Sequence, residues 1–513
     1  MEFVKIHLVC PVIPDCITKS HLCSERKSLI INQLKPYPMT IITTFSLSST
    51  NPFSFSFSSS INRFRFNPHS SLQPSTPPQP KHTGAIIIGA GLSGLSAATH
   101  LNSHNIPFLL LDSSNSVGGR VRTDSIDGFL LDRGFQIFIT AYPEAKKVID
   151  YESLDLRKFY SGARVFYGNR FHTVAHPLRH LLDSVKSIAN PIGSIKDKLL
   201  IVSSIVRVLA KSDQEIFDSD EVTTIELLRK LGFSDSIIST FFRPFFGGIF
   251  FDTELETTSR LFDFIFKCLA VGENTLPANG ISAIPEQLAA RLPTGSVLLN
   301  SEAVSIDLNH SESLQSVKLR NGDVLTSELG VIVAVEEPVA VKLLAGKNNK
   351  INPVQRKPVR STVCIYFTAN RDQIPQDPVL YLNGSGKGIV NNMFFVTNVA
   401  PSYGPPNKAL VSVSLIGLFE NESDNDLTVK VVHELSSWFS EEMVRKWKHL
   451  RTYRIGFAQP NQSPPTDLMK NPRFERGLYV CGDYLTSATF DGALVSGRRA
   501  AECLLNDRAF TPV

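Results

Sequence analysis

The chain has 513 residues, 42% of them hydrophobic and 19% charged, the balance of a globular protein with a sizeable core and two or three domains. Its formal charge of +4 is unevenly placed: residues 1–82 hold eight Lys/Arg against three Asp/Glu, leaving 44 basic and 45 acidic residues for the rest. That near-neutral remainder gives no electrostatic case for nucleic-acid binding. The cysteines at 10, 16, 23, 268, 364, 481 and 503 form no C-x-x-C pair, so reduced, mostly buried thiols are expected rather than a disulfide framework or a zinc site.

From Arg26 to Leu111 there is no Asp or Glu, and the stretch from Met39 is rich in Ser, Thr and Phe. This is the composition of an organelle transit peptide, and its hydroxylated style points to a plastid. Residues 1–82 are therefore set apart as a presequence, with Met39 a possible true start.

The first folded unit is AIIIGAGLSGLSAATHLNSHNIPFLLLD, residues 85–112. Ala85 to Ile88 and Phe108 to Leu111 are short apolar runs, as expected of strands buried on both faces. Between them Gly89, Gly91 and Gly94 stand in G-x-G-x-x-G spacing before a predicted helix, Leu92 to Leu101. Such glycines permit a tight turn, a close approach of pyrophosphate to the backbone, and close packing of helix on strand. Asp112, 23 residues after Gly89, stands where a carboxylate accepts ribose hydroxyls. Next, Gly118 and Gly119 allow a second close turn and Arg120 supplies a charge for a phosphate. GFLLDRGFQIF (128–138) gives a strand, a break at Gly134 and a second apolar run.

Residues 146–276 read as helix-rich, with HPLRHLLDSVKSI, SIKDKLLIVSSIVRVLA and TTIELLRKLGF at helical spacing. His172, His176 and His180 are four apart, but Pro177 intervenes and the nearby carboxylate is Asp183, so no metal site is expected. FFRPFFGGIFF (241–251) reads equally as the end of a core helix or as an apolar tunnel wall. ELGVIVAVEEP (328–338) gives a further strand. Residues 339–470 alternate, with strands in STVCIYFTA, PVLYLNG, GIVNNMFFVT and ALVSVSLIGL and then one helix, LTVKVVHELSSWFSEEMVRKW. Leu478 to Cys481 is a last buried strand, closed by Gly482 and Asp483, with a helix from Gly492 to Leu505. No apolar run reaches the 18 residues of a membrane span; Leu199 to Leu209 reads first as a core helix and second as a surface that touches lipid.

The fingerprint ending in Asp112, the Gly118–Gly119–Arg120 turn and the terminal GDYLTSATFDGALVSG block together resemble the FAD-containing amine oxidase/phytoene desaturase superfamily, to which protoporphyrinogen oxidases also belong. The resemblance spans residues 83–513; within it 277–293 and Val297 to Ile306 look like the family's helix and strand, and 328–338 is similar to its exit from the FAD domain. It implies an α/β fold, a discontinuous Rossmann-like FAD-binding domain (83–145, 277–338 and 471–513) with an α+β substrate domain of mixed sheet (339–470) and helical cap (146–276). It also implies non-covalent FAD, with Asp112 on the adenosine ribose, Arg120 near the phosphates and a backbone contact to adenine near Val304. Gly482 and Asp483 would approach the ribityl and phosphate groups, and Gly492 and Ala493 the flavin ring. Amine oxidases of this group place a lysine near the flavin and a tyrosine before the terminal Gly-Ala; the matching positions are Thr362 and Thr489.

The flavin would carry the redox chemistry, and no side-chain acid or base stands out. Three readings follow. The first is a plastid, phytoene desaturase-like enzyme taking hydride from a small apolar, isoprenoid-like substrate, with a quinone or oxygen as acceptor and peripheral membrane contact. The second is an FAD oxidase of an amine or tetrapyrrole, and the third a non-catalytic carrier on the same fold.

Overall fold

The computed structural model describes residues 82–177, 179–180, 189–309, 314–345 and 357–509. The expected presequence, but for His82, and most of the expected helix over 176–188 lie outside these residues.

The first sheet has eight strands drawn from three distant stretches of chain. Its order begins Val297–Leu298, Phe108–Leu111, His82–Ile88, Val324–Val333. The apolar runs at 85–88, 108–111, 330–333 and 478–480 pair in parallel, as strands covered on both faces do. Val324–Val333 is long enough to use one edge twice. Residues 324–327 pair antiparallel with 315–318, and 331–333 pair parallel with Leu478–Val480. The side chains of Ala85, Ile87 and Leu110 pack beneath the helices Leu92–Ser103 and Phe490–Ala509. Those of Ile86, Ile88, Leu109 and Leu111 pack on the other side, where the helix Glu337–Leu344 lies. Two expectations need correction here. The strand expected from Val297 to Ile306 is two strands, Val297–Leu298 and Ala303–Asn309, which stand at opposite edges of the sheet. Asn300, in a left-handed conformation (φ 53°), turns the chain between them. The strand expected over 328–338 starts earlier and stops at Val333, and Glu336 then leads into a helix with Pro338 in its first turn.

The second sheet has seven strands, ordered Lys448–Gln459, Arg360–Asn370, Lys408–Ile416, Val390–Phe395, Leu380–Asn383, Gly162–Tyr167, Arg170–Ala175. The last two come from the stretch read as helical. They form a hairpin whose turn, Gly168–Asn169, has positive φ at both residues, the pairing that suits the twist of a two-residue turn. One face of the sheet buries Leu427, Val431, Leu435 and Trp438 of the helix Asp424–Trp438. A separate short helix, Glu441–Val444, follows, so the single helix expected over this region is two. The opposite face, carrying Cys364, Tyr366, Leu382, Phe394 and Leu410, packs on Phe129, Leu131 and Leu276.

The remaining helices begin at legible caps. Ser194/Asp197, Ser212/Glu215 and Thr223/Glu226 each form a reciprocal capping box. FFRPFFGGIFF combines the two roles its sequence allowed. It forms the helix Arg243–Phe250, which buries Phe242, Phe246 and Phe250 at 1–3% exposure against Phe262, while Phe245, Ile249 and Phe251 face a cavity.

Asp132 joins the strand Phe129–Asp132 to both surroundings. Its carboxylate accepts hydrogen bonds from Thr123 Oγ1 (2.6 Å), the Ile281 amide (3.0 Å) and Tyr403 Oη (3.0 Å). Burial outweighs these bonds and pushes its pKa from 3.8 up to about 6. A raised carboxyl pKa means that folding favours the protonated form, so stability falls as pH rises from about 4 to about 6 and is level above that. Asp132→Asn, with Tyr403 turning to accept, should remove this slope and gain about 2–3 kcal/mol relative to wild type between pH 4 and pH 7. Urea unfolding across that range measures it; parallel wild-type and variant curves would refute it.

Candidate active site

One cavity of about 620 Å³ is walled by both sheets and by the helix Arg243–Phe250. Nine of the residues expected at a cofactor site lie in its wall: Gly89, Gly91, Asp112, Gly118, Gly119, Arg120, Gly482, Asp483 and Ala493. Gly94 and Gly492 lie behind the wall, where a Cβ would come within 1.8 Å of the Gly89 carbonyl oxygen and 2.0 Å of the Ser487 carbonyl oxygen. Their role is close packing. Val304 is not brought to the cavity. It sits at an irregularity in the pairing of an edge strand, 40% exposed.

Gly91 caps the helix Leu92–Ser103 without a side chain, and no carboxylate stands in the first turn, so the leading N–H groups keep their positive end for an anion. A Cβ on Gly91 would meet nothing within 4 Å, which marks open space beside the backbone. Gly118 forms a parallel bridge to Gly91 and donates its N–H to Ala90 (2.8 Å); Gly118 and Gly119 both have positive φ. The two glycine turns are thus stitched into one cradle. Asp112 is held at its rim, accepting from the Ala90 amide (2.7 Å) and from the amide and hydroxyl of Ser114 (2.8 and 2.5 Å).

Arg120 and Asp483, read independently from the sequence, are partners. Arg120 Nη2 donates to Asp483 Oδ1 at 2.8 Å, Nη1 donates to the Ala458 carbonyl at 2.9 Å, and the guanidinium lies over the Phe457 ring. Burial alone would depress the guanidinium pKa; the carboxylate more than offsets it and holds the pKa above its ordinary value. Three separate stretches of chain meet at this pair. Gly482 donates its amide to Ser496 Oγ (2.9 Å), which fixes the strand end against the last helix. That helix starts at Phe490, two residues before its expected first turn. Asp491 accepts the amides of Glu144 and Ala145, and burial pushes its pKa up to about 6.

The rest of the wall is mostly apolar, including Phe245, Ile249, Phe250, Phe251, Ile265 and Leu269. Thr362 and Thr489 both line it, and no lysine does among the described residues. Arg122, Arg133, Glu336 and Asn392 also line it and were not singled out from the sequence. Of these, Glu336 had a signal: like Asp112 and Asp483, it stands just beyond the end of a parallel strand, where open α/β sheets bind ligands. The bare helix start, the paired glycine turns, and carboxylates at the ends of three parallel strands fit a dinucleotide, and the apolar part leaves room for a second, greasy molecule.

Residues 92–505 match the sequence model of the flavin containing amine oxidoreductase family. Among curated proteins, the chloroplastic/chromoplastic 15-cis-phytoene desaturase of Narcissus pseudonarcissus is 21% identical over 481 residues, 84% of this chain and 81% of that one. Protoporphyrinogen oxidase 2 of Arabidopsis thaliana is 23% identical over 171 residues, 32% and 31% of the two chains. Among solved structures, putrescine oxidase bound to putrescine superposes with a TM-score of 0.62 at 15% identity, covering 83% of this chain and 99% of that one. An oxidoreductase from Methanosarcina mazei gives 0.61 at 16% identity, covering 82% and 100%. At these identities the structural likeness speaks to the fold.

Proposed function

Because the chain belongs to the flavin-containing amine oxidoreductase family, we propose that this FAD-dependent oxidoreductase is desaturase-like and takes hydride from an apolar, isoprenoid-like substrate. FAD, when bound, supplies the two-electron acceptor. The protein's own part is to hold and to exclude. The bare start of the helix Leu92–Ser103 and the glycine cradle receive the pyrophosphate, Asp112 the ribose hydroxyls, and the Arg120–Asp483 pair fixes the wall between them. The aromatic and aliphatic wall keeps water from the reacting carbon. The observation that carries the desaturase reading is that this wall faces Thr362 and Thr489, where amine oxidases carry lysine and tyrosine. Its support is the similarity to phytoene desaturases over most of both chains. The intact cradle speaks against a carrier.

The test is anaerobic reduction of the purified yellow protein. A C40 polyene should bleach the flavin, and putrescine or a porphyrinogen should not. Bleaching by the amine or the porphyrinogen alone would move the protein to the oxidase reading. Reoxidation by a plastoquinone analogue or by oxygen then identifies the acceptor.

A plastid location at a membrane surface belongs to the same reading. The serine-rich, acid-free presequence and the chloroplastic relatives support the first part. No helix among the described residues is long and apolar enough to cross a membrane. The helix Ile195–Leu209 nevertheless exposes Ile195, Leu199, Val202, Val206 and Leu209 along one face, Ile195 and Leu199 at 65% and 67%. Lys196, Lys198 and Lys211 flank it, and its one carboxylate, Asp197, is buried and bonded to Ser194 and Ser234. This is an apolar face with a basic margin, suited to an anionic lipid surface. Leu199→Glu with Val206→Glu should weaken sedimentation with phosphatidylglycerol vesicles about tenfold or more, leaving flavin content unchanged. Equal sedimentation of the two proteins would remove this contact.

A further inference from the structure

The second sheet presents Thr362, Leu380 and Asn392 to the cavity from its central strands. Thr362 is satisfied internally, its hydroxyl donating to the Leu415 carbonyl at 2.8 Å. Asn392 is different. It is 1% exposed, and its Oδ1 is buried without a hydrogen-bond partner. The neighbouring asparagines donate their amides to backbone carbonyls: Asn383 to Val390 (2.8 Å), Asn391 to Pro244 (3.0 Å) and Asn398 to Pro375 (2.7 Å). Asn398 shares the unpaired Oδ1, but of these four asparagines Asn392 is the one in the cavity wall. Ser414, directly opposite Asn392 on the paired strand, also has a buried Oγ with no partner. Two unsatisfied polar side chains therefore stand opposite one another, and Asn392 of the pair lines the largely apolar chamber. A buried polar group left unpaired costs more than an apolar one of the same shape, so a purely hydrocarbon site would favour leucine at 392.

The helix opposite makes room for the carboxamide. A Cβ on Gly248 would come within 2.7 Å of both Asn391 Nδ2 and Asn392 Nδ2, so glycine is what admits the two neighbouring amides there. A primary amide donates and accepts at once, which matches a hydroxyl group and not a bare hydrocarbon. We propose that Asn392, given its place by Gly248 and backed by Ser414, is a specificity residue that binds a hydroxyl carried by an otherwise apolar substrate. The substrate class is then an oxygenated isoprenoid-like lipid. This rests on the apolar-substrate reading above and narrows it.

The probes are geranylgeraniol and the C20 hydrocarbon in which hydrogen replaces its hydroxyl, titrated in detergent into the full-length holoprotein and followed by the flavin absorbance. The wild type should bind the alcohol about tenfold more tightly than the hydrocarbon, because the analogue leaves the amide unpaired. Asn392→Leu should abolish or reverse that preference with unchanged flavin content and a melting temperature no lower than that of the wild type, since the amide makes no bond within the protein and its burial unpaired is a cost. Gly248→Ala, which pushes on the amide, should weaken the alcohol and leave the hydrocarbon little changed. Equal binding of both probes by wild type and Asn392→Leu would overturn the subsite and leave the apolar reading standing. Loss of flavin in Asn392→Leu would overturn it in favour of a cofactor contact. A flavin that responds to putrescine and to neither lipid would overturn the subsite and the apolar reading together.

Discussion

Gly91→Val is expected to give a folded, colourless protein. Gly91 has φ −73°, which valine tolerates, and a Cβ there would meet no protein atom within 4 Å. The new side chain would instead stand where the pyrophosphate must approach the helix start. The apoprotein should therefore melt with wild-type apoprotein, and the variant should lack the stabilisation that bound flavin gives, about 3–4 kcal/mol at several hundred times the dissociation constant. Gly94→Val is the contrasting control. Its Cβ would lie 1.8 Å from a backbone oxygen, so it should fail to fold rather than fail to bind. Flavin absorbance against protein absorbance, with thermal melts of both apoproteins, separates the two. A yellow Gly91→Val protein would show that the dinucleotide lies elsewhere.

Arg120→Ala should lose both flavin and stability. The guanidinium holds Asp483, whose side chain is only 8% exposed, and removing one partner of such a pair leaves an uncompensated charge. The cost should sit at the lower end of about 3–5 kcal/mol, because Arg120 itself opens partly onto the cavity. Arg120→Lys keeps the charge but cannot reach Asp483 and the Ala458 carbonyl together, so intermediate flavin content is expected. Urea unfolding and flavin content measure the two losses separately. Wild-type flavin content in Arg120→Ala would confine the arginine to holding Asp483.

The gathering of the glycine turns in one cavity wall was legible because it is written in backbone geometry. Gly89, Gly118 and Gly119 have positive φ, and only residues tolerant of that conformation can stand there. The short parallel strands Phe108–Leu111 and Leu478–Val480, buried on both faces, read as apolar runs nearly to the residue, whereas the longer Val324–Val333 did not, because its first half is an antiparallel, partly exposed stretch. The second sheet was harder. The strand Lys448–Gln459 lies at an edge and mixes charges into its alternation, and the hairpin at 162–175 lies in a stretch where helical spacing dominates the sequence. The pairing of Arg120 with Asp483 joins residues 363 apart, for which no local pattern exists. The same holds for Asn392, whose meaning lies in the bonds it does not make.

The meeting of the first and last helices fixes when this enzyme can come alive. Ser96 Oγ donates to the Leu494 carbonyl at 2.6 Å, and a Cβ on Gly497 would lie 1.9 Å from the Ser93 carbonyl oxygen. The helix behind the glycine cradle is thus set by the helix Phe490–Ala509, whose Leu494 stands 398 residues beyond Ser96. A ribosome that has released the fingerprint has not yet released its support, nor Asp483 for Arg120. Flavin capture therefore waits on residues 478–497, and a chain truncated before residue 478 should bear the whole phosphate motif yet be unable to turn yellow.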